Sequence, residues 1–478
     1  MQPEELCKLA DRITKFNCEF QNIEVKAARQ GCPTRLFDTL SSFSNQDNGG
    51  ILVFGLDEKQ DFLPVGVYDP QDLQHKVVEQ CKQMEPVVRP LFTVAQMNDS
   101  FIVSAEIPGM DVAERPVFYK GAGRLRGSYI RSGDADELMS EYEIYSYDAF
   151  RKRIRDDLRP VENAGLNLFD GELLERYLEA VKKERENLHG NVTDAEIMEL
   201  MGVTKDGVPT LSGVLVFSKY PQAYFPQLCI TAVVVPGTEM GDTGVDGERF
   251  IDNKRITGNI SDMLVGAVDF VRRNARIKTV IVDYGKRVDM PEFPIKAVRE
   301  ILLNALVHRD YSIHTENVPI RLVMYSDRLE VTNSGGLYGR ISIDSLGRIH
   351  PDTRNPALAN ILELLRETEN RYSGIPTIRK EMRTAGLPAP IFAVKRGEFI
   401  ATLKNNIGQF GTGKEKTGDI LEFCNTPRTR AELIEFTGFS RFYTMDSIVK
   451  PLVESGQLKL SLPDKPKSSK QTYYTAKD

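Results

Sequence analysis

Polar residues break an apolar run at helical intervals in Glu300-Ile-Leu-Leu-Asn304-Ala-Leu-Val-His308. Positions i, i+4 and i+8 share one face of a helix, so a carboxylate, a carboxamide and an imidazole fall on one line. Ile301, Leu302, Leu303, Leu306 and Val307 occupy the other faces and would bury the helix. Such a line suits a carboxylate that polarises water and an amide that holds Mg²⁺ beside phosphates.

The same reading gives a mixed, multi-domain α/β (α+β) chain. Leu6 to Phe16 is amphipathic, and Ile23-Glu24-Val25-Lys26 alternates like a strand. A helix is expected near Thr34 to Phe43. Strands follow at Ile51 to Asp57, Phe101 to Ile107 and Ser128 to Arg131. Helices are predicted over Gly171 to Asn187 and Arg255 to Arg273. Val214 to Phe217 and Ile230 to Val235 read as an apolar strand pair. Ile320 to Tyr325 and Leu329 to Thr332 are further strands. A charged stretch ending in Pro160 and a Gly/Lys-rich linker, Gly408 to Lys416, divide the chain. The expected units are 1–150, 151–290, 291–405 and 412–478.

Length and composition narrow the classes. A chain of 478 residues accommodates three or four domains. No stretch approaches the ~20 apolar residues of a membrane span. The N-terminal Met1-Gln-Pro-Glu-Glu lacks a signal-peptide pattern. The six cysteines include no Cys-x-x-Cys pair, which argues against a zinc ribbon or a disulfide scaffold. A cytoplasmic protein without a membrane partner is expected. A net charge of −6 excludes a polybasic chain, so nucleic acid must be met by local patches.

Downstream of the Glu300 run come Asn333-Ser334-Gly335-Gly336 after a strand, Asn355-Pro356-Ala357-Leu358-Ala359, and Arg371-Tyr372-Ser373-Gly374 before a helix. Glycines let backbone approach phosphate oxygens, and helix N-termini favour negative charge. The order resembles the GHKL-type ATPase fold. It is more closely similar to the version in bacterial "divergent AAA-4" or RecG-like regulators, over roughly 160 to 405. The Glu-x-x-x-Asn-Ala-x-x-His-Arg-Asp-Tyr run, the Asn-Pro-x-Leu-Ala run and Glu381-Met382…Gly386-Leu387-Pro388-x-Pro390 carry the likeness.

The resemblance implies ATP and Mg²⁺ as cofactors. Glu300 would be the general base and Asn304 the Mg²⁺ ligand. Asn333 would meet the base, and Gly335, Gly336, Ser373 and Gly374 would shape the nucleotide lid. Two positions depart from the GHKL pattern. Asn333 stands where the adenine-reading Asp is expected, and an amide donates as well as accepts. Arg371-Tyr372-Ser373-Gly374 stands in place of Gly-Thr-Gly. His308 reads as a helix C-terminal cap, with His-Arg opposing the dipole. His-Arg-Asp is not a kinase loop, because no Asn follows Asp310 at kinase spacing.

A second constellation is Glu19, Glu24 and Asp57, with Lys26 beside them. If their strands are neighbours, three carboxylates converge on a site suited to Mg²⁺ or Mn²⁺. Such a metal could activate water against a phosphodiester. Glu19-x4-Glu24-Val25-Lys26, Asn45 with Gly49-Gly50, Gly55-Leu56-Asp57 and Tyr129-Ile130-Arg131-Ser132-Gly133 resemble the AlbA_2 domain shared with Schlafen proteins. That likeness spans about 10 to 145. Schlafen members cut RNA with three carboxylates in these places, whereas most bacterial members look like DNA-associated regulators. Lys120, Arg124, Arg126 and Arg131, interleaved with glycines, read as a flexible basic loop that tracks phosphates.

The last segment reads as three helices and a ribbon, resembling a winged helix-turn-helix. Thr429 with Glu432 forms a capping box. Arg441 and Tyr443 on the third helix would contact DNA, and Lys465, Lys467 and Lys470 would form a basic wing. The expected function is a DNA-binding, homo-oligomeric transcriptional regulator whose ATP site controls its conformation. RNA is the second partner considered. The alternative is a metal-dependent, Schlafen-like nuclease gated by nucleotide, serving phage defence.

Overall fold

The computed structural model describes the chain except residues 189, 191, 245, 283–285, 351, 367–373, 396, 406–419, 422, 438–443, 446–448, 464–467, 469–470 and 476–478. It contains two compact units. One comprises Met1–Arg155 with Tyr338–Arg340, and the other Asp156–Leu337 with Ile341–Asp478.

The first unit is built on a four-stranded sheet, ordered Ile23–Lys26, Gly50–Phe54, Ser100–Ile107, Leu91–Met97. The first pair is parallel and the others antiparallel. Both faces are apolar, and side chains alternate between them. Leu52, Phe54, Val103 and Ala105 pack under the helices Phe37–Ser44 and Pro70–Cys81. Val25, Val53 and Ile102 pack against Leu6, Ala10 and Ile13 of the helix Pro3–Phe16. That helix carries Glu4 and Glu5 in its first turn and Lys15 in its last, which complements its dipole.

Two boundaries differ from expectation. The helix near Thr34 begins only at Phe37, because Leu36 is its N-cap. The strand Ile51 to Asp57 is broken at Gly55, where φ is 101°, into Gly50–Phe54 and Leu56–Asp57.

The second unit centres on a six-stranded sheet, ordered Asp252–Ile256, Ile230–Val234, Ile320–Met324, Arg328–Ser334, Glu398–Lys404, Ile391–Lys395. Only Ile230–Val234 and Ile320–Met324 run parallel. Ala232, Leu322, Leu329, Val331 and Ala401 join one core with the helices Ile260–Asn274, Ile295–Val307 and Gly374–Thr384. The other sheet face carries Thr231, Arg321, Glu330 and Thr332, and Arg321 pairs with Glu398 at 2.7 Å.

Val214-Leu215-Val216-Phe217 is not a strand but the end of a buried helix, Leu211–Phe217. A short, wholly apolar run has no period that separates the two states. Thr210 decides it, capping the helix through its hydroxyl, which accepts from the Gly213 N–H at 3.1 Å. Arg255 likewise lies in a strand rather than opening a helix. The helix starts at Ile260, where Asn259 and Asp262 form a capping box.

Near the C-terminus, Thr429 and Glu432 cap the helix Arg430–Thr437 reciprocally. Arg428–Thr429, Thr472–Thr475 and Leu458–Leu460 form a small antiparallel sheet in that order. Arg441, Tyr443, Lys465, Lys467, Lys470 and the linker Gly408 to Lys416 lie outside the described residues. Among the described residues, no helix is long and apolar enough to cross a membrane.

Candidate nucleotide site and the N-terminal carboxylate cluster

The helix Ile295–Val307 buries Ala297, Val298, Ile301, Leu302, Ala305 and Leu306, and leaves Glu300 and Asn304 half-buried on one line. The Asn304 amide donates to Glu300 Oε1 at 3.2 Å. The backbone of Gly374, first residue of the helix Gly374–Thr384, lies directly against both. A Cβ placed there would fall on Glu300 Oε1 and 3.0 Å from Asn304 Nδ2. A glycine distant in sequence therefore closes on the Glu/Asn line, at a helix N-terminus where backbone N–H groups favour anions. Ser373 lies outside the described residues.

Asn333 sits on the strand Arg328–Ser334, two and four positions after Val331 and Leu329, and so faces the helices with them. It is 5% exposed, and its Oδ1 has no hydrogen-bond partner among the described residues. A buried carbonyl oxygen left unmade costs about 1–3 kcal/mol, so it calls for a donor. The exocyclic amine of adenine is such a donor. Gly335 follows with φ 95°, a conformation that side chains rarely adopt.

His308 ends the helix as its C-cap, its N–H donating to the Asn304 carbonyl at 2.9 Å. It reaches solvent from within dense surroundings. Desolvation by the groups packed around it, and then the Arg354 charge, lower its imidazole below the ordinary value. The residues after it are brackets, not a catalytic loop. Arg309 is buried and donates to the Thr315 carbonyl at 2.7 Å. Asp310 pairs with Arg354 at 2.7 Å, and the Tyr311 hydroxyl donates to the Leu306 carbonyl at 2.7 Å.

In the first unit the structure rearranges the expected carboxylate trio. Glu24 is level with Leu52 on the sheet's first strand. Asp57 comes after the break at Gly55, and its carboxylate caps a short turn, accepting from the Lys59 N–H at 3.1 Å and Gln60 Nε2 at 2.8 Å. Among the described residues, no group of three or more His, Cys, Asp or Glu is placed to hold a metal. Glu19, Glu24 and Asp57 are not among such a group.

Arg131 takes the central position instead. Its side chain is 1% exposed, so it is not a phosphate-tracking residue on a basic loop. It lies 3.0 Å from Glu24, 2.9 Å from Asp136 and 3.9 Å from Glu19, and over the Phe43 ring at 5.3 Å. Thr39 and Ser42 hydroxyls each donate to Asp136 at 2.6 Å. Lys26 pairs with Glu24. Asp136 was not anticipated. The signal was present, because the Ser132-Gly133 turn sets Arg131 opposite Asp136 in a hairpin.

Arg124 is also held internally, pairing with Asp148 at 2.6 Å within a one-turn helix, Arg124–Gly127. Lys120 and Arg126 remain on the surface.

Burial foremost, opposed by the Val25 N–H at 2.7 Å and reinforced by Glu24, raises the Glu19 carboxyl to about 7. The ordinary value is 4.5, so the folded chain holds this proton between about 4.5 and 7 while the unfolded chain releases it. The Glu19 contribution to stability is complete below the lower value and is lost as pH rises through the upper one. Urea unfolding at pH 5 and pH 8 should show this fall in wild type and a smaller fall in Glu19→Gln. Equal falls in both would exclude Glu19 as its source.

Comparison with known proteins adds two domain matches. The family model described as "Schlafen, AlbA_2" matches residues 19–140. That described as "Putative ATP-dependent DNA helicase recG C-terminal" matches 317–403, a span that begins after the Asn304 helix. No curated protein matches the chain. Among solved structures, the DIP2311 protein from Corynebacterium diphtheriae aligns over 95% of this chain and 93% of its own, at 16% identity and a TM-score of 0.41. The N-terminal domain of a protein described as "Putative ATP-dependent DNA Helicase RecG-related Protein" from Nitrosomonas europaea aligns over 29% of this chain and 95% of its own, at 26% identity and a TM-score of 0.24.

Proposed function

We propose that this chain, which carries a Schlafen AlbA_2 domain at 19–140 and a RecG-like ATPase-type domain at 317–403, is an ATP-controlled, nucleic-acid-binding regulator of transcription. The observation that carries the nucleotide half is the Gly374 backbone seated on Glu300 and Asn304. The partnerless Asn333 Oδ1 supports it from the base side. In this reading Asn333 accepts from the base amine, and Gly336, half-buried in the turn after it, gives backbone access to the nucleotide. Asn304 holds Mg²⁺, which when bound supplies charge neutralisation at the phosphates. Glu300, next to Asn304, orients and polarises water.

The nucleic-acid half rests on the AlbA_2 match, with DNA as the proposed partner. Lys120 and Arg126 contact phosphates, and the C-terminal segment serves as the winged DNA reader through Arg441, Tyr443, Lys465, Lys467 and Lys470. ATP binding changes the arrangement of a homo-oligomer and so its hold on DNA. The buried Arg131 between Glu24 and Asp136 favours this over metal-dependent cutting, because those two carboxylates already have a cation.

Calorimetric titration of the full chain with ATP and Mg²⁺ tests the site. Wild type should bind, and Asn304→Ala should bind at least tenfold more weakly, a loss of about 1.4 kcal/mol. Equal binding would remove Asn304 from its role, and absence of binding by wild type would overturn the nucleotide reading. Fluorescence anisotropy with labelled duplex DNA, with and without ATP, tests the rest. The affinity should fall steeply with salt.

A further inference from the structure

Three pieces far apart in sequence make the proposed nucleotide site. They are the turn Gly335-Gly336, the C-terminal end of the Asn304 helix, and the N-terminus of the Gly374 helix. Something must hold the first two in fixed relation, because Asn333 and Asn304 can serve one ligand only at one separation. Residues 354 and 355 touch both.

Arg354 is a buried cation, its side chain 7% exposed, paired at 2.7 Å with an Asp310 side chain 3% exposed. The guanidinium lies under the glycine turn. A Cβ on Gly335 would fall 2.6 Å from Arg354 Nη1 and 2.8 Å from Asp310 Cβ. Arg354 Nη2 donates to the Gly336 carbonyl at 3.4 Å, and the Asp310 N–H donates to the Ser334 carbonyl at 3.0 Å. The pair thus packs against Gly335 and bonds to the residues on either side of it in sequence.

Asn355, fully buried, grips the helix. Its amide donates to the carbonyls of Val307 at 2.9 Å and Arg309 at 2.7 Å. Carbonyls at a helix C-terminus have no intrahelical donor, and a buried end requires such a partner. The dipeptide Arg354-Asn355 therefore ties the glycine turn to the end of the helix that bears Asn304.

A buried ion pair is weak support for stability as such, since apolar residues of similar shape often do as well. What arginine adds is a rigid planar fork that meets a carboxylate and a carbonyl together, which an ammonium on a flexible stem does not reproduce. We propose that Asp310, Arg354 and Asn355 are positioning residues for nucleotide binding, holding the Gly335-Gly336 turn at a set distance from Asn304. The proposal rests on the nucleotide reading above.

The test uses the full chain, ATP with Mg²⁺ as probe, and two variants, Arg354→Lys and Asp310→Asn. Titration calorimetry gives affinity, and thermal melting with circular dichroism gives the fold. Arg354→Lys keeps the charge, so a purely electrostatic, structural role predicts unchanged ATP affinity. For Arg354→Lys, positioning predicts an affinity at least tenfold weaker with the melting temperature within a few degrees of wild type; Asp310→Asn breaks a buried pair, so its melting temperature should fall and its affinity is read well below that temperature. Unchanged affinity in both folded variants, with wild type binding, overturns the positioning role alone. Absence of binding by wild type overturns the nucleotide reading and this proposal with it. Should Arg354→Lys fail to fold, Asp310→Asn decides, since it keeps the Arg354 contact to Gly336 while releasing the ionic grip.

Discussion

Arg131→Met is expected to destabilise the first unit by about 3–5 kcal/mol, the cost of removing one partner from a buried charged group. Glu24 and Asp136 would lose their 3.0 and 2.9 Å contacts with the guanidinium, and Glu19 the charge 3.9 Å away. Methionine fills much of the volume, so the loss is electrostatic rather than a cavity. Lys26 reaches Glu24 from the same strand but is a third exposed and carries a single ammonium, so it cannot replace the fork. A loss of this size is a large share of the ~5–15 kcal/mol that holds a typical domain folded. Urea unfolding followed by circular dichroism, with proteolysis to locate the unfolded part, measures it. A change under about 1 kcal/mol would show that the cluster is solvated and the ionic account wrong. Adding Glu24→Gln to Arg131→Met should recover part of the loss, because one uncompensated charge disappears.

Gly374→Ala should separate binding from stability. The new Cβ would fall on Glu300 Oε1 and 3.0 Å from Asn304 Nδ2. These are ends of side chains and can move, but moving them disturbs the groups assigned to water and Mg²⁺. The expected result is ATP affinity at least tenfold weaker with an unchanged melting temperature. Affinity equal to wild type would place the ligand elsewhere. A large fall in melting temperature would mean that the effect is one of folding.

Much of this architecture was legible in local pattern. The strand Ile23–Lys26 has the predicted limits, because apolar and charged residues alternate along it with the period of a strand. Glu300 and Asn304 do share a helix face, since spacing of four residues dictates it. The Thr429–Glu432 box caps its helix for the same local reason. Val214 to Phe217 was misread, because a wholly buried helix loses the polar stripe that reveals its period.

The candidate sites divide along the same line. Chain order alone gave the likeness to the two domain families and the Glu/Asn helix, because these depend on residues close in sequence. It could not decide what a charged side chain meets. Arg131 in a glycine-rich stretch looked like a phosphate contact, and only packing against Phe43 and across to Glu24 made it a buried counter-ion. Asp57 looked like a ligand, and the break at Gly55 turned it into a cap. Arg354 attracted no notice, since nothing local distinguishes a surface arginine from one buried against Asp310. A side chain's chemistry is written in the sequence, but its partner and its dielectric surroundings come from segments that meet only when the chain folds.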